Sequence, residues 1–212
     1  MIACKRRVCH YAVTIEGKAM AKITSSKDIL MLLLYSKGHT GKQCEPIHGR
    51  TRLMKMVFLF DREVRRKFGF SKTVRQVAMP NFEPYDYGPF SAQVFSDIEF
   101  LQDMGFVGVE PVEGVEPLPE EGLEYSHWQS DEGTEDDTGE PVREQKYSLS
   151  PLGRSFVQDE LLSELSEEQQ GVLDEFKRRC TGVPLRALLR YVYDKYPEMT
   201  TKSKIRQEIE SG

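Results

Sequence analysis

The sequence predicts a mainly α-helical chain with a small β-ribbon, arranged as a winged helix-turn-helix core with a C-terminal helical extension. Three observations carry that prediction. Apolar residues fill residues 29–35 all round, and they recur at three- and four-residue steps over 53–68 and 94–101, which is the spacing of helices. The third of these segments runs into Gly105 and is followed by two short strand-like runs, 106–109 and 145–149, separated by a long acidic stretch. From Ser150 onward the helix-start signals are dense.

Each element has a local cause. Ser25-Ser26-Lys27-Asp28 offers a serine cap with an acid in the first turn, which suits the unpaired N–H groups and the dipole of a helix start. Gly38 ends that helix. Gly38-His39-Thr40-Gly41-Lys42 fails as a phosphate loop, because Ser36 stands where the first glycine is needed and Gln43 follows the lysine. Residues 50–68 form the second helix, with Leu53, Met56, Val57, Phe60, Val64 and Phe68 as its apolar stripe. Phe82-Glu83-Pro84-Tyr85-Asp86-Tyr87-Gly88-Pro89-Phe90-Ser91 is a turn fixed by two prolines and a glycine and loaded with aromatics. Ser91 caps a third helix through Met104, whose core stripe is Val94, Phe95, Ile98 and Leu101.

The two strand runs form a wing. Ser150-Pro151 opens a helix over 152–165, Ser166-Glu167-Glu168-Gln169 is a capping box for one over 169–180, and Pro184 begins another that carries Leu185, Leu188, Leu189, Val192 and Tyr196. The tail 200–212 is polar and adds a short helix. The expected core is Leu30, Leu33, Leu34, Leu53, Val57, Phe60, Val94, Ile98, Leu101, Phe106 and Tyr147. The chain then divides into an N-terminal extension (1–23), a winged-helix core (24–150) with a long acidic wing loop (110–144), and C-terminal helices packed on the core (151–212).

The 212 residues carry a net charge of −5, which hides a division. Residues 1–80 hold 17 Lys+Arg against 5 Asp+Glu, residues 81–146 hold 2 against 18, and residues 147–212 hold 10 against 11. Such asymmetry points to a nucleic-acid surface, a partner surface or a solvated acidic loop. Residues 1–19 lack the apolar core of a secretory signal. Met20 precedes a good helix start, so it is expected to be the natural start; an ordinary flexible or docking N-terminus is the alternative. Cys4 and Cys9, followed by His10, are spaced too widely for a zinc pair, and Cys44 and Cys180 are isolated. No cofactor or metal is expected. No apolar run approaches the roughly 20 residues a membrane span needs, and the reading is a reduced cytoplasmic protein.

Arg52-Leu53-Met54-Lys55-Met56-Val57-Phe58-Leu59-Phe60, followed by the aromatic turn 82–91, resembles the YwgA-like proteins. More distantly it resembles the Panacea or SocA-like antitoxin and phage-associated winged-helix family. There a similar lysine-bearing helix is followed by a Tyr-Gly-Pro turn, a helix and a strand. The resemblance spans residues 26–200. It implies a small cytoplasmic prokaryotic regulator: members of the wider family neutralise toxins by direct contact, and one is a proteolytic adaptor. The extended acidic wing and the tail after Pro197 depart from the short antitoxin pattern.

Two surfaces are candidates. Tyr85, Tyr87, Pro89 and Phe90 are residue types that carry interface energy, and their alternative role is to pack the turn against the first helices. Arg50, Arg52, Lys55, Arg62, Arg65 and Arg66 form either a solvated helix face or a surface for nucleic acid or an acidic partner. The helix that a helix-turn-helix would place in the major groove, 91–104, carries Asp97, Glu99 and Asp103 and no Lys or Arg, so groove reading is disfavoured. The expectation is a non-enzymatic regulator or adaptor working through protein contacts with a toxin or regulatory protein. A DNA-binding regulator using the basic second helix is the alternative, and an enzyme the second alternative. His10, His39, His48 and His127 fall in no metal or triad pattern, and no catalytic residue is assigned. Apolar patches on the C-terminal helices leave a homodimer open.

Overall fold

The computed structural model describes residues 23–112 and 144–211. The expectations on residues 1–22, including Met20, and on the acidic stretch 113–143 lie outside the described residues. The chain is mainly helical with small antiparallel sheets.

α1 (Ser26–Tyr35) starts at a complete capping box: Ser25 accepts from the Asp28 N–H, and the Asp28 carboxylate accepts from the Ser25 N–H. Residues 29–34 are all buried, so the helix is surrounded. It packs against α4 (Ala92–Asp103), against β5 (Gln145–Leu149), and against α6 (Glu167–Thr181). Burying one such side chain contributes about 1.5–3 kcal/mol, which makes α1 the axis of the core.

α2 (Arg50–Leu59) follows β1 (Ile47–His48) and leads into a π turn at Phe60–Val64. Leu53, Met56, Val57, Phe60 and Val64 are buried as the stripe predicts. Phe68 is not part of it. The π turn adds a residue to the helical repeat and the chain then leaves the helix, so Phe68 stands 52% exposed at φ 54 while Phe70 takes the buried place, edge-on to Phe60 at 5.5 Å. Phe70 opens α3 (Phe70–Thr73).

The aromatic turn is a hairpin, β2 (Glu83–Tyr85) against β3 (Gly88–Phe90), with Tyr85 opposite Gly88. Gly88 has φ 88, and a Cβ there would lie 3.0 Å from the Tyr193 ring, so the position demands glycine twice over. Ser91 occupies the cap position of α4, but its side chain makes no capping bond.

β4 (Val107–Pro111) pairs antiparallel with β5 in the register Val107 to Leu149 and Val109 to Tyr147. Tyr147 and Leu149 are buried on one face, as the alternation predicts. The sheet has a third strand that the sequence did not announce: β1 pairs Ile47 with Tyr147, and β5 lies in the middle of the order β1-β5-β4.

After β5 come α5 (Pro151–Phe156), α6, α7 (Leu185–Lys195) and α8 (Arg206–Ser211). The single helix expected over 152–165 is instead α5, a π turn at Val157–Leu161 and a 3-10 turn at Leu162–Glu164. The Ser166–Gln169 capping box is present, so α6 begins at Glu167. Leu185, Leu188, Leu189 and Val192 of α7 are buried, and this helix lies on α2.

Candidate functional site

The hairpin is an internal joint. Tyr87 is 2% exposed, Pro89 and Phe90 are buried, and only Tyr85 is half-exposed, stacked on Phe90 at 4.8 Å. From α2 the Lys55 ammonium donates to the Pro89 carbonyl at 3.1 Å. From the C-terminal side Lys204 pairs with Asp86 at 2.5 Å, and its backbone N–H donates to the Asp86 carbonyl at 2.9 Å. The four residues proposed for partner contact are therefore brought together, but three of them point inward.

The six basic residues proposed as a surface are mostly engaged within the fold. Lys55 is 0% exposed, which corrects its placement on a solvated face: the Pro89 carbonyl, 34 residues later in the chain, receives it. Arg65 is buried in an ion pair with Asp61 at 2.7 Å and also donates to the Gln76 side chain. Arg50 donates to the Tyr147 hydroxyl at 3.1 Å and lies 4.6 Å from the Phe95 ring. Arg52 donates to the carbonyls of Cys180 and Val183 at 2.6 and 2.8 Å. Arg62 sits over Phe58 at 5.4 Å, its Nε buried without a hydrogen-bond partner. Only Arg66 of the six is exposed.

Two side-chain clusters join the C-terminal helices to the core. At the first, Lys177 of α6 donates to the carbonyls of Leu34, Ser36 and Glu45 at 2.9, 2.9 and 2.6 Å, closing the C-terminal end of α1. Burial lowers its pKa to about 8, while the nearby Cys44, Glu45 and Asp174 act to raise it. At the second, Glu63 of the π turn accepts from Tyr191 at 2.8 Å and Tyr196 at 3.0 Å, and pairs with Lys195 at 2.9 Å. Burial pushes the Glu63 carboxyl up, but the hydrogen bonds from Lys195, Tyr191 and Tyr196 outweigh it and hold the group below its ordinary range. Burial and the Glu63 carboxylate raise Tyr196 to about 12. Neither cluster was legible from spacing, because each spans over 100 residues of chain.

What remains on the surface is elsewhere. α4 exposes Glu99 and Asp103 beside Phe100 and Met104, two acids and two apolar side chains in parallel i,i+4 rows. The turn after α2 exposes Arg66, Lys67 and Phe68, and Val77 nearby is 82% exposed. Among the described residues after Ser150, the exposed large apolar ones are Leu152 of α5, Val183 between α6 and α7, and Tyr191 of α7. Burial raises both described thiols, Cys44 above its ordinary value and Cys180 to about 12, which leaves little thiolate. No helix among the described residues is long and apolar enough to cross a membrane. No protein-family model, curated protein or solved structure matches the chain.

Proposed function

We propose that the chain is a non-enzymatic regulator or adaptor built on a winged helix-turn-helix and acting through protein contacts in a prokaryotic cytoplasm. The order α1, β1, α2, α4, β4, β5, with β1 laid beside β5, supports the winged-helix reading. Fold alone does not give function. The observation that carries the protein-contact reading is the outer side of α4. In the winged-helix reading this helix would be the groove-reading one, yet it presents Glu99 and Asp103 with Phe100 and Met104 and contains no Lys or Arg. Phosphate contacts need positive charge, and acids on that face repel the duplex. The inward engagement of Arg50, Arg52, Lys55 and Arg65 supports the same reading. An antitoxin-like or defence-associated role rests on the resemblance of the 52–60 and 82–91 segments.

The test is a mobility-shift assay at low salt with the full chain and mixed-sequence duplex DNA, beside photo-crosslinking from Gln102 of α4 in the native host. The reading expects no shift and a crosslink to protein. A salt-sensitive shift would overturn it in favour of DNA binding. Burial raises the Cys44 and Cys180 thiols, which speaks against these two side chains as nucleophiles.

A further inference from the structure

Two exposed patches on this chain are complementary to each other. The α4 patch pairs the acids Glu99 and Asp103 with the apolar Phe100 and Met104, 47% and 52% exposed. The other patch pairs the bases Arg66 and Lys67 with the apolar Phe68 and Val77, and the bond from Arg65 to Gln76 holds its two halves together. Among the described residues, none of these four charges has an ion-pair partner. Lys27, the cation beside Phe100 at 4.9 Å, is already paired with Asp97 at 2.7 Å.

Exposed aromatic and aliphatic side chains flanked by unpaired charge are costly to leave in water and apt to be covered. We propose that the occupant of the α4 patch is the 66–77 patch of a second copy of this chain. Phe68 and Val77 would lie against Phe100 and Met104, and Arg66 and Lys67 would meet Glu99 and Asp103. The charge complementarity of the two patches selects this occupant: no foreign partner is needed to supply opposite charge and matching apolar area. Because the two surfaces are different, the contact is heterologous. The pair keeps one free patch of each kind, so association continues into rings or open chains rather than stopping at a two-fold dimer. This inference does not depend on the proposed function, although a partner that uses α4 would compete with it.

Sedimentation velocity on the full chain over a concentration series tests it. The wild type is expected to exceed the mass of two copies at high concentration, and its association should weaken at least tenfold between about 0.05 M and about 0.5 M salt as screening shortens. The double variants Glu99→Lys/Asp103→Lys and Arg66→Glu/Lys67→Glu are each expected to stay monomeric with unchanged melting. Mixed in equal amounts they should associate again, since each then offers the charge the other lacks. Phe100→Ser, which alters no charge, should weaken association at least tenfold. A wild type that stays monomeric throughout overturns the proposal. So does a mixture that fails to associate, or a charge variant that self-associates like the wild type. If the wild type stays monomeric and duplex DNA binds through Arg66 and Lys67, that patch belongs to nucleic acid instead.

Discussion

The ammonium of Lys177 lies 2.6 Å from the carbonyl oxygen of Glu45, 132 residues earlier in the chain. With its bonds to the Leu34 and Ser36 carbonyls, one side chain satisfies two acceptors at the end of α1 and one in the loop before β1. Replacing it by methionine keeps the stem's volume and strands all three. A buried acceptor left without a partner costs about 1–3 kcal/mol. Lys177→Met is expected to lose about 3 kcal/mol, read as a fall in Tm of roughly 6–12 °C for a chain of this size. An unchanged Tm would mean the clamp carries no net stability.

The same lysine sets a pH dependence. Its pKa is about 8 when folded, against an ordinary 10.5. Between those values the unfolded chain holds a proton that the folded chain has released, so the Lys177 contribution to stability rises with pH. That pH-dependent part is complete above 10.5 and is lost as pH falls through 8, and it adds to what the hydrogen bonds to the three carbonyls contribute. The unfolding free energy of the wild type minus that of Lys177→Met should therefore grow from pH 7.5 to pH 10, by denaturant titration. A difference that stays flat contradicts this.

Glu63 shares that sign in a more acidic window and for a different cause. Its carboxyl titrates below the ordinary carboxylate range despite burial, because Lys195, Tyr191 and Tyr196 hold the charged form. Its contribution is present above the unfolded value near 4.5 and is lost as pH falls through the lower folded value. Glu63→Gln should lower stability at pH 7 and narrow its difference from the wild type as acid is added. A gap that widens in acid would reverse the sign.

Two glycines separate crowding from open space. At Gly153 a Cβ would fall inside the contact distance of the Phe106 carbonyl, with the Leu149 side chain 3.0 Å away. At Gly171, inside α6, a Cβ meets nothing within 4 Å. Gly153→Ala should destabilise by about 1–3 kcal/mol, and Gly171→Ala should stabilise by about 0.5–1 kcal/mol. Chemical denaturation of both variants checks the pair, and equal effects would refute the distinction.

Tyr87 and Phe100 make a second contrast. Tyr87 is buried in the hairpin joint, and its truncation to alanine should cost about 3–5 kcal/mol. Phe100→Ser touches an exposed face and should leave the Tm within about 2 °C of the wild type. A Tyr87→Ala protein with unchanged melting would return the hairpin to the surface.

The signals that could be read from the sequence were the local ones. The Ser25–Asp28 and Ser166–Gln169 boxes depend on residues three apart, so short patterns announce them. The stripe from Leu53 to Val64 follows from helical spacing. β1 was invisible because two residues carry no period, and Ile47 is a strand only by virtue of Tyr147. Lys55 resembles its solvated neighbours in sequence, and what distinguishes it is a carbonyl supplied by the hairpin. Phe68 obeyed the spacing but not the helix, since nothing in the residues marks the π turn that displaces it. For the aromatic turn, interface and core were both open, and burial of Tyr87, Pro89 and Phe90 is a property of their neighbours in α2 and α7.

β5 lies between β1 and β4, although it follows both in the chain. During synthesis the two outer strands leave the ribosome with nothing between them, and no earlier segment can fill the place of Tyr147. A nascent chain that stops before Gln145 therefore keeps an unsealed seam beside α1, exposing apolar surface of the kind chaperones and proteases survey. The keystone arrives late, so the sheet closes only when residues 145–149 are present to pair with both outer strands.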